Sequence, residues 1–157
     1  MMLVDEIMTK NVVTIENDRT VLDACNVYKD RKIGCLIVTK EGHLDGIVTE
    51  RDIIHRVISN EKDPRATKIE EIMTRDIKSI LPTAEVKEAA EIMSENNIKK
   101  LPVVSDNGDV VGIITDTDIA NMIPNFLKIL AESGDDESFK DAASRFHKAT
   151  IPNTEHE

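Results

Sequence analysis

An α+β fold of two βαββα repeats, packed sheet to sheet about a pseudo-two-fold axis and followed by a C-terminal helical tail, is predicted by three observations. Glu6-Ile7-Met8-Thr9 returns as Glu71-Ile72-Met73-Thr74, at an offset of 65 residues. Amphipathic helical stripes recur at the same offset. Each stripe is followed by two short branched apolar runs, and the second run ends in Gly-aliphatic-aliphatic-Thr-x-x-Asp.

The match extends well beyond the tetrapeptide. Ile15 meets Ile80, Val21 meets Val86, Ala24 meets Ala89, Ile33 meets Ile98, Leu36 meets Leu101 and Val38 meets Val103. One extra residue in the second copy then moves the offset to 66, pairing Gly42 with Gly108, Gly46-Ile47-Val48-Thr49 with Gly112-Ile113-Ile114-Thr115, and Asp52-Ile53 with Asp118-Ile119. Order, spacing and residue class all persist from Glu6 to Ile53, which identifies a duplication. Two copies are too few for a solenoid, so a closed pair is expected.

The expected organisation is repeat one over 3–60, a linker over 61–67 marked by Pro64 in the polar stretch Ser59 to Thr67, repeat two over 68–122, and a tail over 123–157. Val21, Ala24, Cys25 and Tyr28 fall at i, i+3, i+4 and i+7, and Val86, Ala89, Ala90 and Met93 repeat that helical stripe. Pro82-Thr83 is read as the second helix start. Ile33 to Thr39 and Ile98 to Val104 suit strands covered on at least one face. Asp106-Asn107-Gly108-Asp109 reads as a hairpin turn, and Gly42 does similar duty in the first copy. The next strands, Gly46 to Thr49 and Gly112 to Thr115, run into helices near Glu50 and Asp116. A copy alone buries too little surface, so the sheets pack together with helices outward. In the tail, Ile123, Phe126, Leu127 and Leu130 form one helical stripe, and Phe139, Ala142, Ala143 and Phe146 another. The tail has no partner in the first copy.

Composition excludes several function classes. The chain has 157 residues, of which 40% are apolar and 32% charged, a globular balance, and aromatics are only 3%, so the core is aliphatic. A net charge of -10 disfavours nucleic acid and acidic membrane surfaces as partners. Cys25 and Cys35 lie inside apolar patterns and read as buried, reduced thiols. With no apolar signal region at the start and no run near the length of a membrane span, a cytoplasmic location is expected. His43, His55, His147 and His156 have no zinc spacing, and no nucleophile constellation accompanies them. No metal and no catalytic residue is therefore expected, and the chain reads as a non-enzyme.

Chemistry concentrates in Gly46-Ile47-Val48-Thr49-Glu50-Arg51-Asp52 and Gly112-Ile113-Ile114-Thr115-Asp116-Thr117-Asp118. Thr-x-x-Asp opening a helix is a capping box, in which the hydroxyl accepts a backbone N–H and the acid reaches back. It also suits a nucleoside phosphate: the turn offers N–H groups to phosphate, and the Asp accepts hydrogen bonds from a ribose diol. Lys99-Lys100 is by default a solvated pair. Its place before Leu101-Pro102 admits a phosphate contact. Met8 and Met73, at matched positions, are expected at the cleft or at the interface between copies.

The Met-Thr opening, the Ile98-Lys99-Lys100-Leu101-Pro102-Val103-Val104 strand and the Gly-Ile-Ile-Thr-x-x-Asp close resemble the cystathionine-β-synthase (CBS) domain in tandem, over about residues 3–122. The first copy departs at Gly34-Cys35-Leu36-Ile37, without the two lysines. The resemblance implies a CBS pair, or Bateman module, whose two clefts hold AMP, ADP, ATP or S-adenosyl compounds. It implies crossed clefts. One combines Thr49, Arg51 and Asp52 with Thr74, Ile77, Lys78, Ile98 and Lys99; the other combines Thr115, Thr117 and Asp118 with Thr9, Val12, Val13, Ile33 and Gly34. Lys100 serves phosphate in either, and Val and Ile sandwich the adenine.

These readings lead to the expectation of a regulatory ligand sensor for adenine nucleotides, with S-adenosylmethionine as the alternative ligand. A ligand-free dimerisation module is a further alternative, as is a nucleotide hydrolase, which lacks a nucleophile or metal constellation; a homodimer and a regulated protein partner are expected. Arg51, Lys78 and Lys99 favour phosphate in the first cleft, whereas Thr117 and Asp116 disfavour it in the second. Outward Ile54, Val57, Ile123 and Phe126 would support a dimer.

Overall fold

The computed structural model describes residues 1–124. Repeat one runs β1 (Thr14–Glu16), α1 (Val21–Arg31), β2 (Cys35–Lys40), β3 (His43–Thr49) and α2 (Glu50–Ile53), which continues as a π turn over Ile54–Ile58. Repeat two supplies α3 (Val86–Asn96), β4 (Lys100–Val104), β5 (Val110–Thr115) and α4 (Asp116–Ala120). β1 pairs parallel with β2, and the β2–β3 and β4–β5 pairs are antiparallel. The first strand of repeat two shrinks to one parallel bridge between Ile80 and Val103. From residue 125 onward the predicted tail lies outside the described residues.

Local chemistry sets the element ends. Thr20 Oγ accepts the Asp23 N–H at 3.2 Å and Asp23 accepts the Thr20 N–H at 3.0 Å, so α1 opens on a capping box. Lys32 and Asn97, with φ of 55° and 52°, end α1 and α3 in the left-handed conformation. The second helix begins at Val86 rather than at Pro82-Thr83. The reason is that Ala84 N–H bonds Leu81 O at 3.1 Å in a turn, while the carbonyls of Pro82 and Ala84 accept N–H bonds from Asp5 at 3.1 Å and Val4 at 2.9 Å and so are taken from the helix.

The two hairpins differ. Glu41 and Gly42 both have positive φ (52° and 83°), the two-residue turn that matches strand twist. In the hairpin of repeat two only Gly108 is left-handed, and Ser105 N–H bonds Asp109 O at 2.9 Å across a longer loop. The extra residue that changes the repeat offset is located here. Glu16 grips the shorter turn, accepting from the Thr39 hydroxyl at 2.7 Å and from the Glu41 and Gly42 N–H groups at 3.0 and 3.3 Å.

Strand alternation builds the core. Leu36, Val38 and Val48 are buried with Val21, Ala24 and Tyr28 of α1, and the Tyr28 hydroxyl donates to Val48 O at 2.7 Å. Leu101, Val103 and Ile114 are buried in the matching positions of repeat two, as are Val86, Ala89 and Met93 of α3. Ile37 and Pro102, on the opposite strand faces, are buried as well. Val57 is fully buried, not outward, because it follows Ile53 by one helical turn on the core face; Ile54, at 56% exposure, is outward. Cys25 and Cys35 are free but only partly buried, which corrects the expectation of two buried thiols.

The repeats exchange their opening segments. Val4 N–H bonds Ala84 O and Val86 N–H bonds Met2 O, at 2.9 and 3.0 Å; the pseudo-symmetric pair is Ile69 N–H to Arg19 O and Val21 N–H to Thr67 O, both 2.9 Å. Thr9 and Ile113 bond reciprocally at 2.9 and 3.0 Å, and Thr74 and Ile47 do the same at 2.9 and 3.0 Å. Each Glu-Ile-Met-Thr segment therefore closes on the last strand of the other repeat. Its Glu caps the turn that leads in: Leu3 N–H reaches Glu6 and Lys68 N–H reaches Glu71, each at 2.6 Å. The linker also works structurally, since Pro64 O accepts the Leu22 N–H at 3.0 Å at the start of α1.

Gly46 and Gly112 are required by this exchange. A Cβ on Gly46 would lie 2.7 Å from Thr74 O and 2.9 Å from Met73 Sδ; one on Gly112 would lie 3.0 Å from Thr9 O and 2.5 Å from Met8 Sδ. Gly46→Ala is expected to destabilise the fold by about 1–3 kcal/mol, read from urea denaturation, because the backbone oxygen opposite cannot swing away.

Hydrogen bonding from the Thr39 hydroxyl, and then from the Glu41 and Gly42 amides, outweighs partial desolvation and holds the Glu16 carboxyl below its usual range. A folded-state value below the unfolded one gives stability that is present above about pH 4.3 and lost as the pH falls through the folded value. The stability advantage of the wild type over Glu16→Gln should therefore be constant near neutrality and disappear in acid. Denaturation midpoints across pH 3–7 measure it.

Candidate functional site

Exchange of the opening segments creates two clefts. Pairing Thr74 with Ile47 brings the opening of repeat two beside the β3–α2 turn, and pairing Thr9 with Ile113 brings the opening of repeat one beside the β5–α4 turn. The first cleft encloses about 470 Å³ and the second about 270 Å³. Both draw on both repeats.

Thr49 and Asp52 line the first cleft from repeat one, with Thr74, Ile77, Lys78, Ile98 and Lys100 from repeat two. The second is lined by Thr9, Val12, Val13, Ile33 and Gly34 from repeat one and by Thr115 and Lys100 from repeat two. Arg51 and Lys99 are exposed and do not line the first cleft; Thr117 and Asp118 do not line the second. Lys99 contributes backbone instead, its carbonyl accepting the Asp116 N–H at 2.9 Å, as Gly34 O accepts the Glu50 N–H at 3.1 Å. Thr117 turns to Asp116, whose carboxylate accepts its N–H at 2.8 Å.

Residues not anticipated from sequence also line the clefts: Ile47, Asp76 and Asn96 in the first, and Asn11, Cys35, Ile37 and Ile113 in the second. Part of this was readable. Ile47 and Ile113 lie two residues before Thr49 and Thr115 on a strand, hence on the same face. Asn11 and Asp76 are equivalent under the repeat offset. The cationic advantage of the first cleft is narrower than expected, because Arg51 and Lys99 are outside it and Asp76 stands beside Lys78.

Both Thr-x-x-Asp turns form capping boxes. Thr49 Oγ accepts the Asp52 N–H at 3.1 Å, while Asp52 Oδ2 accepts the Thr49 N–H and hydroxyl at 2.9 and 3.0 Å. The Thr115–Asp118 distances are 3.1, 2.8 and 2.9 Å. The box consumes Oδ2 and immobilises the carboxylate, so Oδ1 keeps a defined direction for a hydroxyl donor. In the first cleft, which both Thr49 and Asp52 line, capping is thus compatible with a further contact from the same residue pair.

Arg56 does not line the first cleft but braces Asp52, which does. Its guanidinium is 3.6 Å from Asp52 Oδ1 and donates to Ile72 O at 2.6 Å, joining the motif carboxylate to the opening segment of the other repeat. The matched residue in repeat two is Met122. Burial pushes the Cys35 thiol up, opposed by the Lys100 charge and reinforced by Asp52. Arg56→Met should cost about 1–2 kcal/mol in urea denaturation, because it leaves Ile72 O without its charged donor.

Among the described residues, no group of three or more His, Cys, Asp or Glu side chains could hold a metal ion, and no helix is long and apolar enough to cross a membrane.

A family model described as CBS domain matches residues 4–59 and again 69–125. An uncharacterized protein of Methanopyrus kandleri is 30% identical over 130 residues, covering 82% of this chain and 66% of that one. The inosine-5′-monophosphate dehydrogenase of Nitrosopumilus maritimus is 34% identical over 116 residues, 73% of this chain but only 23% of the enzyme. A crystal structure of a CBS domain pair in complex with 5′-methylthioadenosine and S-adenosyl-L-methionine superposes with a TM-score of 0.69 at 32% identity, covering 80% of this chain and 98% of that one.

Proposed function

The chain belongs to the CBS-domain family, and on that premise we propose that it is a non-catalytic regulatory module that senses an adenine nucleotide, AMP, ADP or ATP, in the clefts between its repeats. The observation that carries this reading is the crossed construction of the clefts. In the first, Thr49 and Asp52 come from one repeat, and Lys78, Ile77 and Ile98 come from the other. A ligand that spans them draws on both repeats at once. Branched apolar side chains suit the adenine faces, the fixed Asp52 carboxylate suits a ribose diol, and Lys78 and Lys100 suit phosphate.

Sensing requires that the ligand favour one arrangement of the repeats or of a dimer over another; equal affinity for both switches nothing. The larger first cleft, with two lysines, fits a phosphate-bearing nucleotide. The smaller second cleft, rich in Val and Ile and with one lysine, fits a less anionic adenosyl ligand. S-adenosylmethionine is the second reading, and the ligands held by the structurally similar CBS pair favour it. A homodimer and a regulated protein partner belong to the same proposal, and the exposed Ile54 and Ile58 at 56% and 59% would serve association.

At millimolar concentration, at least one of AMP, ADP, ATP or S-adenosylmethionine should raise the melting temperature, since ligand at about 100 times Kd adds about 2.7 kcal/mol. No shift with any of them defeats the reading. Calorimetry should show a larger loss of AMP affinity for Asp52→Ala than for Asp118→Ala; equal losses would remove the distinction between the clefts.

A further inference from the structure

Among the described residues, Lys100 is the only one that lines both clefts. It opens β4, directly across from Thr115 of the second cleft, and it also borders the first cleft beside Ile98. The repeat offset matches it to Cys35, a second-cleft residue whose thiol feels the Lys100 charge. The duplicated fold therefore carries one cation where perfect symmetry would carry two. Among the described residues, Lys78 is the other cation lining the first cleft, whereas Lys100 is the sole cation lining the second.

A lysine ammonium is a compact point charge on a flexible four-carbon stem. Within hydrogen-bonding distance of a phosphate in one cleft, it is withdrawn from the other. We propose that Lys100 is shared competitively between the clefts, so that two phosphate-bearing ligands bind with negative coupling, and the filled molecule holds one phosphorylated and one uncharged or less anionic adenosyl ligand. This rests on the adenine-ligand reading above and adds a rule for how the two clefts are occupied together. The coupling is reciprocal, because each phosphate lowers the affinity of the other by the same factor.

Sharing has a distinctive arithmetic. The first AMP to bind takes Lys100 and gains its attraction. The second AMP gains nothing from it, whichever cleft it enters. A lysine serving each cleft independently would strengthen both steps.

Calorimetric titration of the full chain with AMP and with adenosine, in wild type and in Lys100→Met, separates these cases. Lys100 is exposed, so the substitution leaves the core intact. The expected result is a first AMP step weakened about two- to fivefold in Lys100→Met, the range for an exposed charge contact. The second AMP step and both adenosine steps should be unchanged. Equal weakening of both AMP steps, or no weakening of either, overturns the sharing while the adenine reading stands. Failure of AMP and adenosine alike to bind overturns both.

Discussion

The structure depends on one reciprocal contact: the opening segment of each repeat hydrogen-bonds to the last strand of the other, Thr74 to Ile47 and Thr9 to Ile113. Neither half of this contact exists within a single repeat. It is possible because Gly46 and Gly112 present no side chain where Met73-Thr74 and Met8-Thr9 pass. The Glu-Ile-Met-Thr and Gly-aliphatic-aliphatic-Thr motifs are therefore two sides of one interface. The Glu caps the approach, the Ile and Met pack, the Thr bonds, and the Gly yields space. Each ladder bond adds about 0.5–1.5 kcal/mol net. Their larger effect is to bind the fate of each repeat to the other.

The clefts follow from that interface. Because the opening segment of one repeat runs beside the strand-to-helix turn of the other, any cleft there has walls from both. Each Thr-x-x-Asp turn meets its own helix's capping requirement first, and this holds the carboxylate still whether or not a ligand is present. Preorganisation of this kind lowers the cost of ordering side chains on binding.

Duplication has left the scaffold symmetric and the chemistry unequal. Val4 and Ile69, Leu36 and Leu101, and Val48 and Ile114 are buried alike in the two repeats. Polar positions diverge: Arg56 against Met122, Asp76 against Asn11, Lys78 against Val13, and Lys100 against Cys35. Core positions tolerate only residues that fill the same space. Cleft-lining positions meet solvent and carry no such restriction, so charge could change there without loss of fold.

The sequence by itself determined the duplication, the α+β class, both helical stripes, the strand-turn-strand units and the Thr-Asp turns, because each depends on residues within a few positions of one another. The offset between copies even located the hairpin that differs. Tertiary structure alone decided which candidate residues share a cleft. Lys100 reaches both clefts and Arg51 lines neither, though both are cations near the same motifs, because the pleat and the helical turn aim adjacent side chains in different directions. The turn at Leu81–Ala84 is of the same kind. It is held by the Val4 and Asp5 N–H groups of the other repeat, and local periodicity carries no record of that contact.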